Sequence, residues 1–206
     1  MPLNEPLENG KYYHIYNRGI NSDVIFKEKR NYEYFLKLYD NHIEPVAETF
    51  AWCLMKNHFH FLIRIKDTDE ITTTKKIAPS QSFSNLFNAY SKSYNKSYNR
   101  HGPMFERPFK RKLILNEAYF QNLITYIHNN PVHHAICEHP INYPWSSYIT
   151  CISEQKTKLK RKEVIAIFDD VENFKIVHQL KINDISDDFF FRLHLTGFKN
   201  LSGVIS

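Results

Sequence analysis

The chain has 206 residues, of which 42% are hydrophobic, 24% are charged and only 5 are glycine. This composition is typical of one soluble globular domain with a small appendage, and it excludes the fibrous and intrinsically disordered classes. The formal net charge is +5, and the aromatic share is 15%.

The first half of the chain predicts three strands and one helix. Residues 11–16 have strand composition and end at Asn-Arg-Gly, which is a turn signal. Residues 31–43 carry apolar side chains at helical spacing. Residues 49–55 and 58–66 are predicted strands, and only residues 56–57 separate them, which predicts a tight β-hairpin.

The second half of the chain predicts two further helices and one strand, followed by a region with a different sequence pattern. Residues 82–99 have a helical pattern, residues 108–115 have strand composition, and residues 117–129 form a predicted helix that Pro131 ends. Residues 163–180 again show helical spacing. No internal repeat is evident.

The order strand, helix, strand, strand, helix, strand, helix predicts an α+β fold. It is the order of a ferredoxin-like split βαβ arrangement, with an antiparallel sheet and helices mainly on one face. We expect residues 1–10 to form an N-terminal tail, residues 11–151 the main domain, and residues 152–206 a small, mostly helical C-terminal extension.

The chain shows no sign of a membrane segment or a disulfide framework. No apolar run approaches the roughly 20 residues that cross a bilayer, and the first residues lack the layout of a signal peptide. Cys53, Cys137 and Cys151 form no CxxC pair, which argues against disulfides and a thiolate zinc site. We therefore expect a cytoplasmic protein without a membrane partner.

All of the excess positive charge lies in one quarter of the chain. Residues 82–130 contain seven basic and two acidic residues, while the rest contains 20 of each sign. Aromatic residues are interleaved with these basic residues, which favours a single-stranded nucleic acid over the alternative of a solvated surface beside core aromatics. The candidate phosphate contacts are Lys110, Arg111 and Lys112, followed by Arg100 and Arg107, and Tyr98 is the candidate for base stacking.

Two histidines lie on the same face of the strand that follows the predicted hairpin turn. Side chains alternate across a sheet, so His58 and His60 share one face, while Phe59 and Phe61 share the other. Two neighbouring imidazoles supply two thirds of a divalent metal site. The alternative is a pair of surface or partly buried histidines that bind no metal.

The helix at residues 117–129 carries two polar residues that suit such a site. Tyr126 and Asn130 are four residues apart and lie at the edge of its apolar stripe. Because Asn130 precedes Pro131, we expect its side chain to project from the helix terminus. The alternative is that Tyr126 caps the core and that Asn130 is only a helix-end residue.

Four motifs in order resemble those of the single-strand tyrosine transposases of the HUH superfamily, in particular the REP-associated tyrosine transposase branch. They are MKNHFHF at 55–61, RHGPMFERPFKR at 100–111, YIHNNPV at 126–132 and YPWSSY at 143–148. The resemblance covers roughly residues 10–150.

The resemblance implies a nuclease and strand transferase for single-stranded DNA, often beside a hairpin, with a covalent 5′-phosphotyrosine intermediate. It implies that Tyr126 is the nucleophile and that His58 and His60 hold Mg²⁺ or Mn²⁺. Asn130 matches the polar third ligand one helical turn later. Such a protein works in the cytoplasm at the nucleoid, as a monomer or a homodimer.

Several other residues compete for these roles. The alternative nucleophiles are Tyr90, Tyr94 and Tyr98, and the alternative ligands are His14, His128, His133 and His134. A domesticated, non-catalytic protein that binds single-stranded nucleic acid on the same sheet face is the second candidate function. A hydrolytic metal nuclease, which would leave no covalent adduct, is the third.

Overall fold

The fold was analysed in a computed structural model that describes residues 6–71 and 77–180. Its sheet contains β1 (Tyr12–Arg18), β2 (Ala47–Met55), β3 (His58–Ile65) and β4 (Lys110–Leu113). The strand order is β2-β3-β1-β4, and every neighbouring pair is antiparallel. The predicted α+β fold with an antiparallel sheet is therefore confirmed.

Six α-helices lie in the described part of the chain. They are α1 (Lys29–His42), α2 (Pro79–Ser97), α3 (Glu117–His133), α4 (Tyr148–Ile152), α5 (Arg161–Ile167) and α6 (Val171–Gln179). Two short 3-10 helices lie at Ile20–Ser22 and Pro140–Asn142. None of the helices in the described ranges has the length and apolar character needed to cross a membrane.

The predicted hairpin connects β2 and β3. Met55 pairs with His58, so Lys56 and Asn57 form the whole connection. A two-residue turn fixes the register of β3 against β2, and this register determines which residues of β3 point to each face.

One face of the sheet packs against α1 and α2 in an aromatic core. Phe59, Phe61 and Ile63 of β3 enter this core together with Tyr13 and Ile15 of β1. The apolar half of the β3 alternation therefore faces these two helices, as the sequence predicts.

The opposite face of the sheet packs against α3. Leu123, Ile124 and Ile127 of this helix join Leu62 of β3 and Phe50 of β2 in a second core cluster. Helices thus lie on both faces of the sheet rather than mainly on one, because the apolar stripe of α3 covers the second face. The helix α3 lies on the same face as the histidines of β3.

The C-terminal end of α3 differs from the sequence-based expectation. The helix continues through Pro131 to His133, and Asn130 is fully buried in its last turns rather than projecting from a terminus. The prediction failed because proline disfavours, but does not forbid, helical geometry in the residue before it. The helix ends three residues later, where the backbone N–H of His134 donates to the Asn130 carbonyl.

The C-terminal helices pack against the back of α3. Val164, Phe168 and Phe174 belong to the same core cluster as α3. Of the expected extension, residues 181–206 lie outside the described residues, as do residues 1–5 of the expected N-terminal tail. The division at residue 152 stays a prediction.

A chain of buried hydrogen bonds links α3 to α6. His128 Nδ1 lies 3.0 Å from His178 Nε2, and His128 Nε2 lies 2.7 Å from Ser147 Oγ. His178 Nδ1 donates to the Phe174 carbonyl at 2.7 Å. Since that bond leaves His178 Nε2 as an acceptor, His128 donates to it and in turn accepts from Ser147. Both histidines are therefore satisfied in their neutral forms.

This network predicts a loss of stability in acid. Burial lowers the pKa of His178 to about 4, so the unfolded chain, whose histidines titrate near 6.5, binds the proton more tightly. The free energy of unfolding should fall as the pH decreases from about 6.5 to about 4. Urea denaturation followed by circular dichroism should show a smaller fall in His178→Leu. Equal slopes in both proteins would contradict this assignment.

Candidate active site

The face of the sheet that packs on α3 brings polar side chains from three strands together. In the antiparallel register, His60 of β3 lies opposite Tyr16 of β1, and His58 lies opposite Arg18. Lys112 of β4 lies opposite His14 on the other side of β1. The period of two therefore places imidazoles, a phenol and an ammonium group on one surface.

The packing of α3 places Tyr126 and Asn130 against this surface. The Tyr126 ring meets the His60 ring edge to face, with centroids 5.4 Å apart. Asn130 Oδ1 lies 2.9 Å from His58 Nε2. The structure thus brings together the four residues that the sequence singles out for metal binding and nucleophilic attack.

The contacts of His58 suit a cation between its ring and Asn130. His58 Nδ1 lies 2.8 Å from Asn57 Oδ1, and a neutral imidazole has only one N–H to share between two amide oxygens. When Nδ1 donates to Asn57, the lone pair of Nε2 faces Asn130 Oδ1. Either a proton on Nε2 or a cation held by both atoms would satisfy this 2.9 Å contact.

Asn130 is fully buried, and its Nδ2 atom has no hydrogen-bond partner among the described residues. A buried amide of this kind costs stability unless a ligand completes its hydrogen bonds. The side chain thus offers an oxygen for a cation and an N–H for an anionic oxygen.

The metal-ligand set is mixed rather than a cluster of strong ligands. No group of three or more His, Cys, Asp or Glu side chains in the described ranges has the arrangement of a metal site. Two imidazoles and an amide oxygen form a mixed nitrogen and oxygen set that can hold a divalent cation when water or phosphate oxygens complete the coordination. These side chains fit such an ion.

Tyr126 packs inside this cluster and is 2% exposed. Its ring also lies beside His133, with centroids 6.0 Å apart. For the phenol to meet a DNA phosphate, the ring must swing outward, or the phosphate must enter the space that the histidines line.

Of the four alternative ligands, three lie at this site and one does not. His14 stacks on His60, with ring centroids 5.1 Å apart. His134 packs beside His58, with ring centroids 5.1 Å apart, and His133 packs beside Tyr126. His128 points to the opposite side of α3, toward His178.

The strand β1 contributes more to the site than its sequence pattern predicts. Tyr16 stacks on His14, which stacks on His60, with centroid distances of 4.6 and 5.1 Å. Burial raises the pKa of Tyr16. The signal is the alternation Tyr12, His14, Tyr16, which places polar aromatic residues on one strand face.

Lys112 extends the site toward β4. Its Nζ atom is buried, has no hydrogen-bond partner in the described part of the chain, and lies 4.5 Å from the centroid of the Tyr119 ring. Burial lowers the pKa of Lys112. A half-buried ammonium group of this kind is a ready hydrogen-bond donor to a phosphate oxygen.

The structure separates the basic residues that the sequence groups together. Lys110 and Lys112 share the face of the histidines, whereas Arg111 points to the opposite face and stacks on Phe109 at 4.2 Å. Arg107 lines the same cleft as Arg111, beside α2.

Arg100 and Tyr98 lie away from both groups. Arg100 donates to the Pro103 carbonyl, and the Tyr98 hydroxyl donates to Glu28 and lies 3.0 Å from Asn31. The phosphate-binding and base-stacking roles of these residues stay predictions.

The alternative nucleophiles Tyr90 and Tyr94 lie on the other side of the sheet. Their hydroxyls donate to the backbone carbonyls of Ile25 and Val24, and both rings pack in the core with α1. Burial raises the pKa of Tyr94 to about 12.

Comparisons with known proteins support the fold. The structure is similar to that of a REP-associated tyrosine transposase bound to a REP hairpin, with a TM-score of 0.56 and 15% identity over 75% of this chain and 86% of that chain. It also matches a bacterial tRNA(His) guanylyltransferase-like protein in complex with ATP, with a TM-score of 0.44 and 13% identity over 80% and 71% of the two chains. No family model and no curated protein matches the sequence.

Because the Asn130 amide is buried without a partner for its Nδ2 atom in the described ranges, we expect its replacement to cost little stability. Asn130→Leu removes an orphaned buried donor and keeps the branched shape of the side chain, so the free energy of unfolding should change by less than about 1 kcal/mol. His128→Leu leaves partners unsatisfied and should cost about 2–4 kcal/mol. Urea denaturation of both variants tests this contrast. An equally large loss in Asn130→Leu would show that the amide is held for structural reasons.

Proposed function

We propose that this protein is a metal-dependent nuclease and strand transferase that acts on single-stranded DNA through a covalent bond to Tyr126. The observation that carries the proposal is the convergence of His58, His60, Tyr126 and Asn130 on one sheet face. The similarity of the fold to that of a REP-associated tyrosine transposase agrees with it. We assign this activity to residues 11–151.

The proposed reaction exchanges one phosphodiester for another. The Tyr126 oxygen attacks the phosphorus and loses its proton, the bond from phosphorus to the 3′-oxygen breaks, and that oxygen takes up a proton. The products are a 5′-phosphotyrosine bond and a free 3′-hydroxyl. A second 3′-hydroxyl reverses the step and joins a new strand without ATP, because the phosphotyrosine bond conserves the energy of the broken bond.

The side chains around Tyr126 have separate roles in this scheme. A bound Mg²⁺ or Mn²⁺ supplies charge neutralisation at the phosphate oxygens. His58 Nε2, His60 Nε2 and Asn130 Oδ1 are the atoms that would hold it. The Asn130 Nδ2 group is placed to donate to a phosphate oxygen, which would satisfy its missing hydrogen bond.

Lys112 and Lys110 are the proposed phosphate contacts next to the site, since they lie on its face. A DNA strand that meets Tyr126 then passes over β1 toward β4. By analogy with the similar transposase, whose structure contains a REP hairpin, we propose that the substrate strand lies beside a hairpin.

A covalent protein–DNA band tests the proposal directly. Single-stranded oligonucleotides that tile both strands flanking the gene are incubated with the protein and Mn²⁺, then separated on a denaturing gel. The wild type should form a band that Tyr126→Phe abolishes because the attacking oxygen is gone. His58→Ala and His60→Ala should lower its yield by about 100-fold or more, since removal of a ligand costs more than loss of its supporting contact.

Tyr119→Phe is the matched control, because Tyr119 lies two turns earlier on α3 and burial raises its pKa. This variant should keep the band. Survival of the band in Tyr126→Phe would show that another residue is the nucleophile. Cleavage without a band would indicate a hydrolytic nuclease, and tight binding without cleavage would indicate a domesticated binding protein.

The salt dependence of DNA binding tests the assignment of the lysines. Each phosphate contact to a single strand contributes about 0.7 to the slope of log affinity against log salt. Lys112→Met should lower the slope by about that amount, and the double variant with Lys110→Met by about twice as much. Fluorescence anisotropy from low to moderate salt measures the slope, with Lys162→Met, an exposed residue of α5, as the control. An unchanged slope would show that neither lysine contacts a DNA phosphate.

A further inference from the structure

Two histidines on different strands are in contact at the proposed metal site. His14 of β1 and His60 of β3 are diagonal neighbours, because His14 pairs with Leu62. Their rings stack with centroids 5.1 Å apart, and His14 Nε2 lies 2.9 Å from His60 Nδ1. Both side chains are buried, which shields this hydrogen bond from water.

A bond between two ring nitrogens needs one proton, and the position of that proton decides what His60 can bind. If His14 Nε2–H donates, the proton of a neutral His60 must lie on Nε2, which then has no lone pair for a cation. If His60 Nδ1–H donates, the Nε2 atom carries the lone pair. Only the second arrangement makes His60 a metal ligand.

The neighbouring histidine has the same arrangement. His58 Nδ1 contacts Asn57 Oδ1, an amide oxygen that can only accept, so a proton on Nδ1 has a partner there. Nε2 of His58 then faces Asn130. Each of the two histidines is therefore contacted at Nδ1 by one side chain, and the two supporting residues are Asn57 and His14.

We propose that His14 is a positioning residue that accepts a hydrogen bond from His60 Nδ1–H and so directs the Nε2 lone pair of His60 toward a divalent cation. The proposal rests on the metal site of the proposed function. His14 touches neither DNA nor the ion in this scheme and acts only through His60. The Tyr16 ring, which stacks on His14, restricts its rotation.

Metal binding in four variants tests the proposal without measuring activity. Free Mn²⁺ is measured by electron paramagnetic resonance during titration of the full chain. His14→Phe keeps a ring but removes the acceptor, and it should weaken Mn²⁺ binding by about 10–100-fold. His14→Gln places an amide oxygen near the position of Nε2 and should restore binding to within a few-fold of the wild type.

Tyr12→Phe is the matched control, because Tyr12 lies on the same face of β1 but packs against Phe50 and Phe120. It should bind Mn²⁺ as the wild type does. Equal affinity in His14→Phe and the wild type would overturn the proposal.

His60→Ala separates this failure from failure of the proposed function. Binding that is lost in His60→Ala but retained in His14→Phe would overturn only the role of His14. Binding that does not depend on His60, or no binding at all, would overturn the metal site and the role of His14 together.

Nitrogen-15 NMR of the histidine side chains provides a test in the unaltered protein. It reports which ring nitrogen carries the proton and does not depend on whether a variant folds. We expect the proton of His60 on Nδ1 and a bare Nε2. A proton on Nε2 of His60 would overturn the proposal.

Discussion

The alternation of side chains along β3 is the constraint on which the site depends. The two-residue turn before this strand fixes its register, and burial of Phe59 and Phe61 against α1 and α2 forces His58 and His60 to the other face. A shift by one residue would bury the imidazoles in the aromatic core and expose the phenylalanines, so the stability of the core holds the site in place. The register of the eight residues of β3 thus determines both which side chains enter the aromatic core and where the two histidines lie.

The second constraint is the position of α3, which is held from both sides. Its apolar stripe packs on the sheet, and its back is tied to α6 through His128 and His178. Tyr126 and Asn130 therefore keep their places partly because the C-terminal helices pack behind them. A substitution in α6 can therefore shift Tyr126 and Asn130 without removing any side chain of the site. Its effect on activity would report the position of α3 rather than the chemistry of the site.

The sequence predicts the parts of the molecule that depend on local pattern. The order of the elements along the chain, the hairpin and the β3 faces follow from alternation and turn chemistry, and the helical spacing of residues 117–129 locates α3. The exact end of α3 was not predictable, because tertiary packing extends the helix past Pro131. Three contiguous basic residues also looked like one patch, although a strand sends Arg111 to the face opposite Lys110 and Lys112.

The contact between His14 and His60 illustrates why the remainder of the site needed a structure. The two residues are 46 positions apart, and each alone resembles an ordinary buried histidine. Their pairing depends on the register of β1 against β3, which strand composition does not specify. Buried polar atoms on the same sheet face, including Lys112 Nζ of β4 and Asn130 Nδ2 of α3, cost stability and form no part of the aromatic core on the other face. A face that keeps such groups beside a well-packed apolar face is better explained by ligand binding than by stability.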